Sequence, residues 1–282
     1  MTETITSGQR KQIKRFCEDA LEGLNISREA AQRVIEQGGS LQRNLRSVIR
    51  QLGESSYSNG KIASTRCYPD GFEFRSVGQQ VATLLEYFPG LDVSHAEELA
   101  SQVRPVGAEG VAVVPKLSVI ASGDFHLGLV KSLIMLGKTR EIRNLFEETL
   151  TSKYLRLTDN TAVAHTKLDE SPGDVWVFPF QFGMLHRDSS FRARVSFGGT
   201  EFGLSPYEGT ILMLTHPDRI TSFGQLYVDC AGCEYLFPTR KDCLCFRWSS
   251  ASKCLEMTFY GLGHPIREWG VASGFLPSAT AG

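Results

Sequence analysis

The sequence carries almost no net charge and no long apolar run. Thirty basic residues offset thirty-one acidic ones, which gives a formal charge of -1. Proteins that coat nucleic acid without sequence preference usually carry a large positive excess, so any nucleic-acid contact has to come from a local patch. No apolar run approaches the roughly 20 residues that span a bilayer, and we therefore expect no membrane partner.

Several short signatures of known chemistry are also missing. The sequence contains no phosphate loop of the Gly-x-x-x-x-Gly-Lys type, no Gly-x-Gly-x-x-Gly fingerprint and no Gly-x-Ser-x-Gly nucleophile elbow. The first residues lack the apolar segment of a secretory signal. Seven cysteines, an odd number, are atypical of a secreted disulfide scaffold. These features predict a reduced, cytoplasmic protein without a diagnostic catalytic motif.

The periodicity of apolar residues changes near Pro105. Before it, spacings of i, i+3 and i+4 predict three helices up to residue 53 and two more over 76–88 and 94–102. After it, helices and strands alternate: helices over 125–136, 140–150, 159–168 and 205–214, and strands over 110–115, 174–178, 225–229, 244–249 and 255–260. We predict an α+β protein in which a helical N-terminal portion (1–104) packs on a mixed, partly antiparallel sheet (105–282).

The densest group of special side chains follows the 174–178 strand. It consists of His186, Arg187, Ser190, Arg192 and Arg194. Guanidinium groups and hydroxyls suit an anionic oxygen ligand, and strand ends are a common place for such ligands. If the segment is a turn, the three guanidiniums can converge on one phosphate. The alternative is a solvated surface crossed by salt bridges.

Asp229 and Glu234 flank a short stretch of small residues after the 225–229 strand. If that stretch is a tight turn, the two carboxylates can act as acid and base or hold a divalent cation. Alternatively, Asp229 caps the turn by accepting hydrogen bonds from backbone N–H groups.

Four cysteines form two close pairs, Cys230 with Cys233 and Cys243 with Cys245. Four thiolates from two turns would suit a structural zinc ion. The second pair fits less well, because alternate residues of one strand rarely bind the same ion. A redox pair and buried thiols that act as small apolar groups are the alternatives. We expect no cofactor, with structural zinc as the remaining candidate.

The third predicted helix carries Arg43, Arg46 and Arg50 on one face, at i, i+3 and i+7. Two short helices around the 38–39 glycine pair have the outline of a helix-turn-helix. These arginines would then follow phosphates, while neighbouring amide side chains reach bases. A plain helical bundle or a partner-binding arm explains the same polar face.

Six segments of the sequence resemble a family of hypothetical proteins predicted from genomes of candidate-phylum bacteria (Patescibacteria). They are RVIEQGGSLQ (33–42), YFPGL (87–91), QFGMLHR (181–187), LTHPDR (214–219), DCAG (229–232) and SGFLP (273–277). The resemblance extends from about residue 27 to 277. It implies one folding unit from about residue 27 and a bacterial cytoplasmic origin, and it implies no particular activity.

Three functions are compatible with these residues. The one we favour is non-catalytic binding of a phosphate-bearing partner, with nucleic acid first among the candidates. The second is a hydrolase or transferase for a small phosphoester, in which His186 and Asp229 perform acid–base chemistry and the arginines hold the anion. The third is a structural or interaction protein without a ligand.

Overall fold

A computed structural model of the chain describes residues 27, 32, 64–101, 104–145, 149–187, 197, 199–236, 241–261 and 268–277. The chain divides into two compact units, Met1–Ser56 and Tyr57–Gly282. Of the three helices predicted before residue 53, the structure describes only Gln32, which is helical; the rest of them, with Arg43, Arg46 and Arg50, lies outside the described residues. Of the helices that are described, none is long and apolar enough to cross a membrane.

Among the described residues, two helices precede the first strand, at the places where the apolar spacing predicts them over 76–88 and 94–102. Helix α1 spans Val77–Tyr87 and α2 spans Ala96–Ala100. The buried amide of Gln80 joins α1 to the sheet: its Nε2 donates to the Val111 carbonyl at 2.7 Å and its Oε1 accepts from the Val113 N–H at 3.1 Å. A buried amide that makes both bonds fixes the position of the helix, because shifting it would leave polar groups unpaired.

The first sheet contains four antiparallel strands in the order β1-β4-β10-β5. They are β1 (Gly110–Pro115), β4 (Val175–Gln181), β5 (Glu201–Gly203) and β10 (Ser273–Phe275). Every residue of β1 and β4 is buried, so both faces of these strands are covered by other elements. Their near-continuous apolar sequence follows from that burial.

The second sheet is mixed, which confirms the predicted α+β class. Its order is β2-β8-β7-β6-β3, with β9 paired to β6. Its strands are β2 (Ile142–Asn144), β3 (Leu155–Leu157), β6 (Tyr227–Leu236), β7 (Lys241–Ser249), β8 (Cys254–Gly261) and β9 (Trp269–Val271). The β2–β8 and β6–β9 pairs are parallel and the others are antiparallel.

The remaining described helices lie between strands along the chain rather than at its N-terminal end. They are α3 (Leu117–Ala121), α4 (Phe125–Thr139), α5 (Asp159–Asp169) and α6 (Pro206–Thr215). All ten residues of α6 are buried, and this helix contacts α4, β1 of the first sheet and β6 of the second. It begins at a capping box in which Glu208 accepts from the Ser205 N–H at 2.6 Å. The central helix, predicted over 205–214, thus starts at a Ser205 cap followed by a first-turn proline, Pro206.

A single residue carries the chain from the second sheet to the first. Ala272 stands between β9 and β10, and its N–H donates to the Asp229 carbonyl at 3.0 Å. Its carbonyl accepts from the Leu204 N–H at 3.2 Å. Ser273 is therefore held in place by both sheets.

The helix predicted over 140–150 is wrong. Helix α4 ends at Arg140, whose backbone is extended, and Ile142–Asn144 pairs in parallel with β8. The Arg140 guanidinium donates to the carbonyls of Pro217 and Ile220 at 2.8 and 2.6 Å. These tertiary contacts override the local helical pattern.

The predicted turn between Asp229 and Glu234 is also wrong, because β6 continues through Leu236 with a register shift between Cys230 and Tyr235. A Cβ at Gly232 would collide with the Gly203 backbone of β5. Glycine at position 232 therefore allows two strands to approach closely and does not mark a turn.

Candidate anion-binding site

The segment after β4 is fixed by backbone contact and by one buried amide. Gly183 has a φ of +114°, and a Cβ there would lie 2.7 Å from the carbonyl carbon of Gly270. The side chain of Gln181 accepts from the Gly183 N–H at 2.5 Å and donates to the Val271 carbonyl and the Ser273 hydroxyl at 2.7 and 2.8 Å. These contacts fix the backbone at the point where residues 184–187 leave the sheet.

His186 is held by a carboxylate. Its Nε2 lies 2.6 Å from Oε1 of Glu201, and the Ser273 hydroxyl donates to the same oxygen at 2.5 Å. The exposed fractions of the His186 and Glu201 side chains are 19% and 13%. A carboxylate only accepts, so Nε2 carries the hydrogen and Nδ1 is the second functional atom of the ring. Within the described part of the chain, Nδ1 has no hydrogen-bond partner.

Arg187 contacts a different part of the chain, residues 64–68, which we call the 64–68 segment. Its Nη1 is 3.7 Å from the Cys67 sulfur and 4.0 Å from the Met184 sulfur. Its carbonyl accepts from the Ser64 N–H at 3.1 Å. No carboxylate of the described residues forms an ion pair with this half-buried guanidinium.

A second arginine, Arg219, is buried against Tyr68 of the 64–68 segment. Arg219 is fully buried and donates to the carbonyls of Leu226 and Phe182 at 2.8 and 3.1 Å. Its guanidinium carbon is 4.2 Å from the centre of the Tyr68 ring. The Tyr68 hydroxyl donates to Glu109, which also accepts from the Phe182 N–H. Because its side chain is fully buried and bonded to both carbonyls, Arg219 holds the loops together rather than facing a ligand.

Burial governs the titration of this network. Desolvation lowers the pKa of Arg219 to about 10, although the nearby Tyr68 and Glu109 oppose the change. Burial raises the pKa of Tyr68, and Glu109 adds to that rise. Arg219 therefore stays charged and Tyr68 stays protonated at neutral pH.

An arginine–aromatic cluster lies next to Arg187. The Arg66 guanidinium carbon is 4.9 Å from the centre of the Phe223 ring and 4.8 Å from that of Tyr227. Its Nη2 is 3.5 Å from a carboxylate oxygen of Glu268. The Cys67 carbonyl accepts from the Leu226 N–H at 2.8 Å. The 64–68 segment thus connects Arg187 to the loop that carries Phe223.

The structure places the predicted site residues unevenly. His186 and Arg187 are adjacent at the end of β4, while Ser190, Arg192 and Arg194 lie outside the described residues. The convergence of the three guanidiniums stays a prediction. Asp229 is fully buried on β6, where it accepts from the Cys243 thiol at 2.6 Å. Glu201, not Asp229, is the carboxylate that His186 contacts.

The sulfurs of Cys233, Cys243 and Cys245 contact oxygen atoms, and those of Cys233 and Cys243 share the Cys230 carbonyl, which lies 3.0 Å from the Cys243 sulfur. Cys233 contacts the Cys230 carbonyl at 3.8 Å, Cys243 contacts Asp229, and Cys245 contacts the Thr258 carbonyl at 3.3 Å. Burial raises the pKa of the Cys230 and Cys245 thiols. No group of three His, Cys, Asp or Glu side chains arranged to hold a metal occurs among the described residues. These contacts favour protonated thiols packed as small apolar groups.

A buried ion pair fixes the start of the central helix. His165 Nε2 is 2.7 Å from Oε1 of Glu208, and the His165 ring lies 4.5 Å from that of Trp176. Burial opposes the ionisation of Glu208, but His165 and the capping bonds to Ser205 outweigh it and lower the pKa of this carboxyl. The pair is enclosed, so it contributes to the fold rather than to a ligand site.

Comparison with protein families, curated proteins and solved structures gives no match for this chain.

Proposed function

We propose that the protein binds a phosphate-bearing partner, nucleic acid in particular, at the surface formed by Arg187 after β4. The observation that carries the proposal is the half-buried Arg187 guanidinium, whose described side-chain contacts are two sulfur atoms. Sulfur is a weak acceptor, so within the described part of the chain no strong acceptor occupies the N–H donors of this arginine, and guanidinium donors suit phosphate oxygens.

The surroundings of Arg187 support the same assignment. Its main chain is bonded to the 64–68 segment, so the side chain starts from a fixed backbone. His186, once protonated, is offset by Glu201 and adds a hydrogen bond rather than net charge. Ser190, Arg192 and Arg194, and separately Arg43, Arg46 and Arg50, are the further residues that we expect to contact phosphates of the partner.

Equilibrium binding of a labelled 20-residue oligonucleotide at several salt concentrations tests the proposal. Binding through phosphates predicts that the logarithm of the association constant falls linearly with the logarithm of the salt concentration. Replacement of Arg187, Arg192 and Arg194 together by glutamine should reduce both the affinity and the slope. Unchanged binding by this triple variant would reject the proposed site.

A second candidate is an acid–base enzyme that acts on a small phosphoester. The chain of contacts from Ser273 through Glu201 to His186 favours it, because an oriented imidazole with a second nitrogen available is the arrangement of a general base. Here His186 would take a proton from the attacking water or hydroxyl and Arg187 would hold the anion. Glu201, rather than the predicted acid–base residue Asp229, is the carboxylate beside His186, and it would act as a positioning residue.

Hydrolysis of a chromogenic phosphate monoester and diester separates the two candidates. The enzyme predicts turnover that His186→Asn abolishes, and that Glu201→Gln reduces with a shifted pH profile. The binder predicts no turnover above background and retained oligonucleotide binding in His186→Asn.

A further inference from the structure

Phe223 is unusual among the aromatic residues of this protein. It is 64% exposed, whereas every other aromatic ring whose side chain is described is buried or half-buried. The other large apolar side chains in the exposed class are aliphatic. A lone exposed aliphatic group is ordinary, but a planar ring offers a face on which another ring can stack.

The loop that carries Phe223 is held by its own side chains. The Gln225 Oε1 accepts from the N–H groups of Thr221 and Ser222 at 2.7 and 3.1 Å. Its Nε2 donates to the Thr221 hydroxyl at 3.1 Å. Because the loop is already ordered by these bonds, a ligand that stacks on Phe223 loses little affinity to loop ordering.

The ring itself is fixed by the charge beside it. Arg66 contacts Phe223 and is in turn held by the Gln225 carbonyl and by Glu268, each at 3.5 Å. A guanidinium against an aromatic face is attracted by the electrons of the ring and restricts its orientation. The cation of Arg66 thus supports one side of the Phe223 ring and restricts its orientation, while the rest of the ring is exposed to solvent.

Phe223 and Arg187 contact consecutive residues of the 64–68 segment. Arg66, which contacts Phe223, precedes Cys67, which contacts Arg187. A strand whose phosphate is bound at Arg187 can therefore place a neighbouring base against Phe223. Duplex bases are already stacked inside the helix, so only an unpaired base has a free face for this ring.

We infer that Phe223 is a stacking platform for an unpaired nucleobase, and that the partner is single-stranded nucleic acid. The inference rests on the proposed function, because Arg187 supplies the phosphate contact that brings the strand to the ring.

Two labelled ligands of equal length and charge test the inference: a 20-nucleotide thymidine oligonucleotide and a 20-nucleotide abasic strand. Base–aromatic stacking predicts that the wild-type protein binds the thymidine strand about 5- to 150-fold more tightly. Phe223→Leu, which keeps an apolar side chain but loses the ring face, should remove this preference without changing abasic-strand binding. Phe223→Tyr, which keeps a ring, should retain it, and thermal unfolding checks that each variant is folded.

The outcomes separate the inference from the proposed function. Equal affinity for both strands, together with no effect of Phe223→Leu, would overturn the stacking platform while leaving phosphate binding in place. Tighter binding of a duplex than of the thymidine strand would overturn the assignment to single strands. Failure of every strand to bind at low salt would overturn the proposed function as well.

Discussion

The guanidinium carbon of Arg219 lies 4.2 Å from the centre of the Tyr68 ring, and the Arg219 side chain is fully buried. Its two bonded carbonyls, those of Leu226 and Phe182, belong to the loop beside Phe223 and to the segment beside His186. One buried cation therefore connects both sides of the candidate site.

Replacement of Arg219 by leucine should destabilise the protein by about 3 kcal/mol, because each buried carbonyl left unpaired costs about 1–3 kcal/mol. Urea unfolding measures the change. Arg156→Leu is the matched control: this side chain is 61% exposed and its ion pair with Glu234 is worth at most about 1 kcal/mol. Equal losses in the two variants would contradict the role assigned to Arg219.

Stability should depend on pH through His216. Burial lowers the pKa of this imidazole to about 4, so the folded protein keeps it neutral while the unfolded chain takes up a proton below about pH 6.5. The neutral His216 therefore contributes fully to stability above about pH 6.5. Up to about 3 kcal/mol of the free energy of unfolding is lost as the pH falls toward 4. Urea unfolding at pH 7.5, 6 and 5 measures this loss.

His216→Phe provides the control for that pH dependence, because the new ring has a similar shape but cannot bind a proton. Four phenylalanine rings lie within 6.3 Å of the His216 ring, centre to centre, so an apolar ring is compatible with the site. The variant should lose less stability than the wild type between pH 6.5 and 5. Identical pH profiles would exclude His216 as the source.

His165 and Glu208 should behave as a coupled pair. Removing one partner of a buried ion pair costs about 3–5 kcal/mol, because the other charge is left without compensation. His165→Phe and Glu208→Gln should each be strongly destabilising, and the double variant should lose less than their sum. A cycle of unfolding free energies at pH 7 measures the coupling, and additive losses would show that the two side chains act independently.

Gly183→Ala should be more damaging than the same change at Gly71. Both residues have a positive φ, but a Cβ at Gly183 would meet the Gly270 backbone at 2.7 Å, whereas nothing lies within 4 Å at Gly71. Backbone strain costs each variant about 1–2 kcal/mol, and the clash adds about 1–3 kcal/mol at Gly183 alone. Melting temperatures compare them, and similar values would argue against tight contact between residues 183 and 270.

Local signals account for the elements that could be predicted from sequence. The Asp124 and Ser205 caps and the apolar spacing that follows them predict α4 and α6 within a few residues of their bounds. The errors have tertiary causes. The 230–234 stretch resembles a turn because Gly232 meets β5, a strand that lies some thirty residues earlier in the chain.

Local and tertiary signals also differ at the candidate anion-binding site. His186 and Arg187 stand in a sequence cluster rich in charge and could be found from it. Glu201 and Ser273 contact each other across 72 residues and reach His186 only through the fold, so no local pattern connects them. Arg219 stands in the LTHPDR segment, but its local sequence does not indicate that it is buried. Its burial depends on Tyr68, which lies far earlier in the chain.

The most direct measurement is the salt dependence of oligonucleotide binding by Arg187→Gln. Arg156→Gln removes the same charge from a more exposed arginine that has an acidic partner, and it serves as the control. Loss of one phosphate contact should weaken binding at every sequence and reduce the slope of log K against log salt by about 1, while the control keeps the wild-type slope. If Arg187→Gln and Arg156→Gln give the same slope and affinity as the wild type, Arg187 does not bind phosphate.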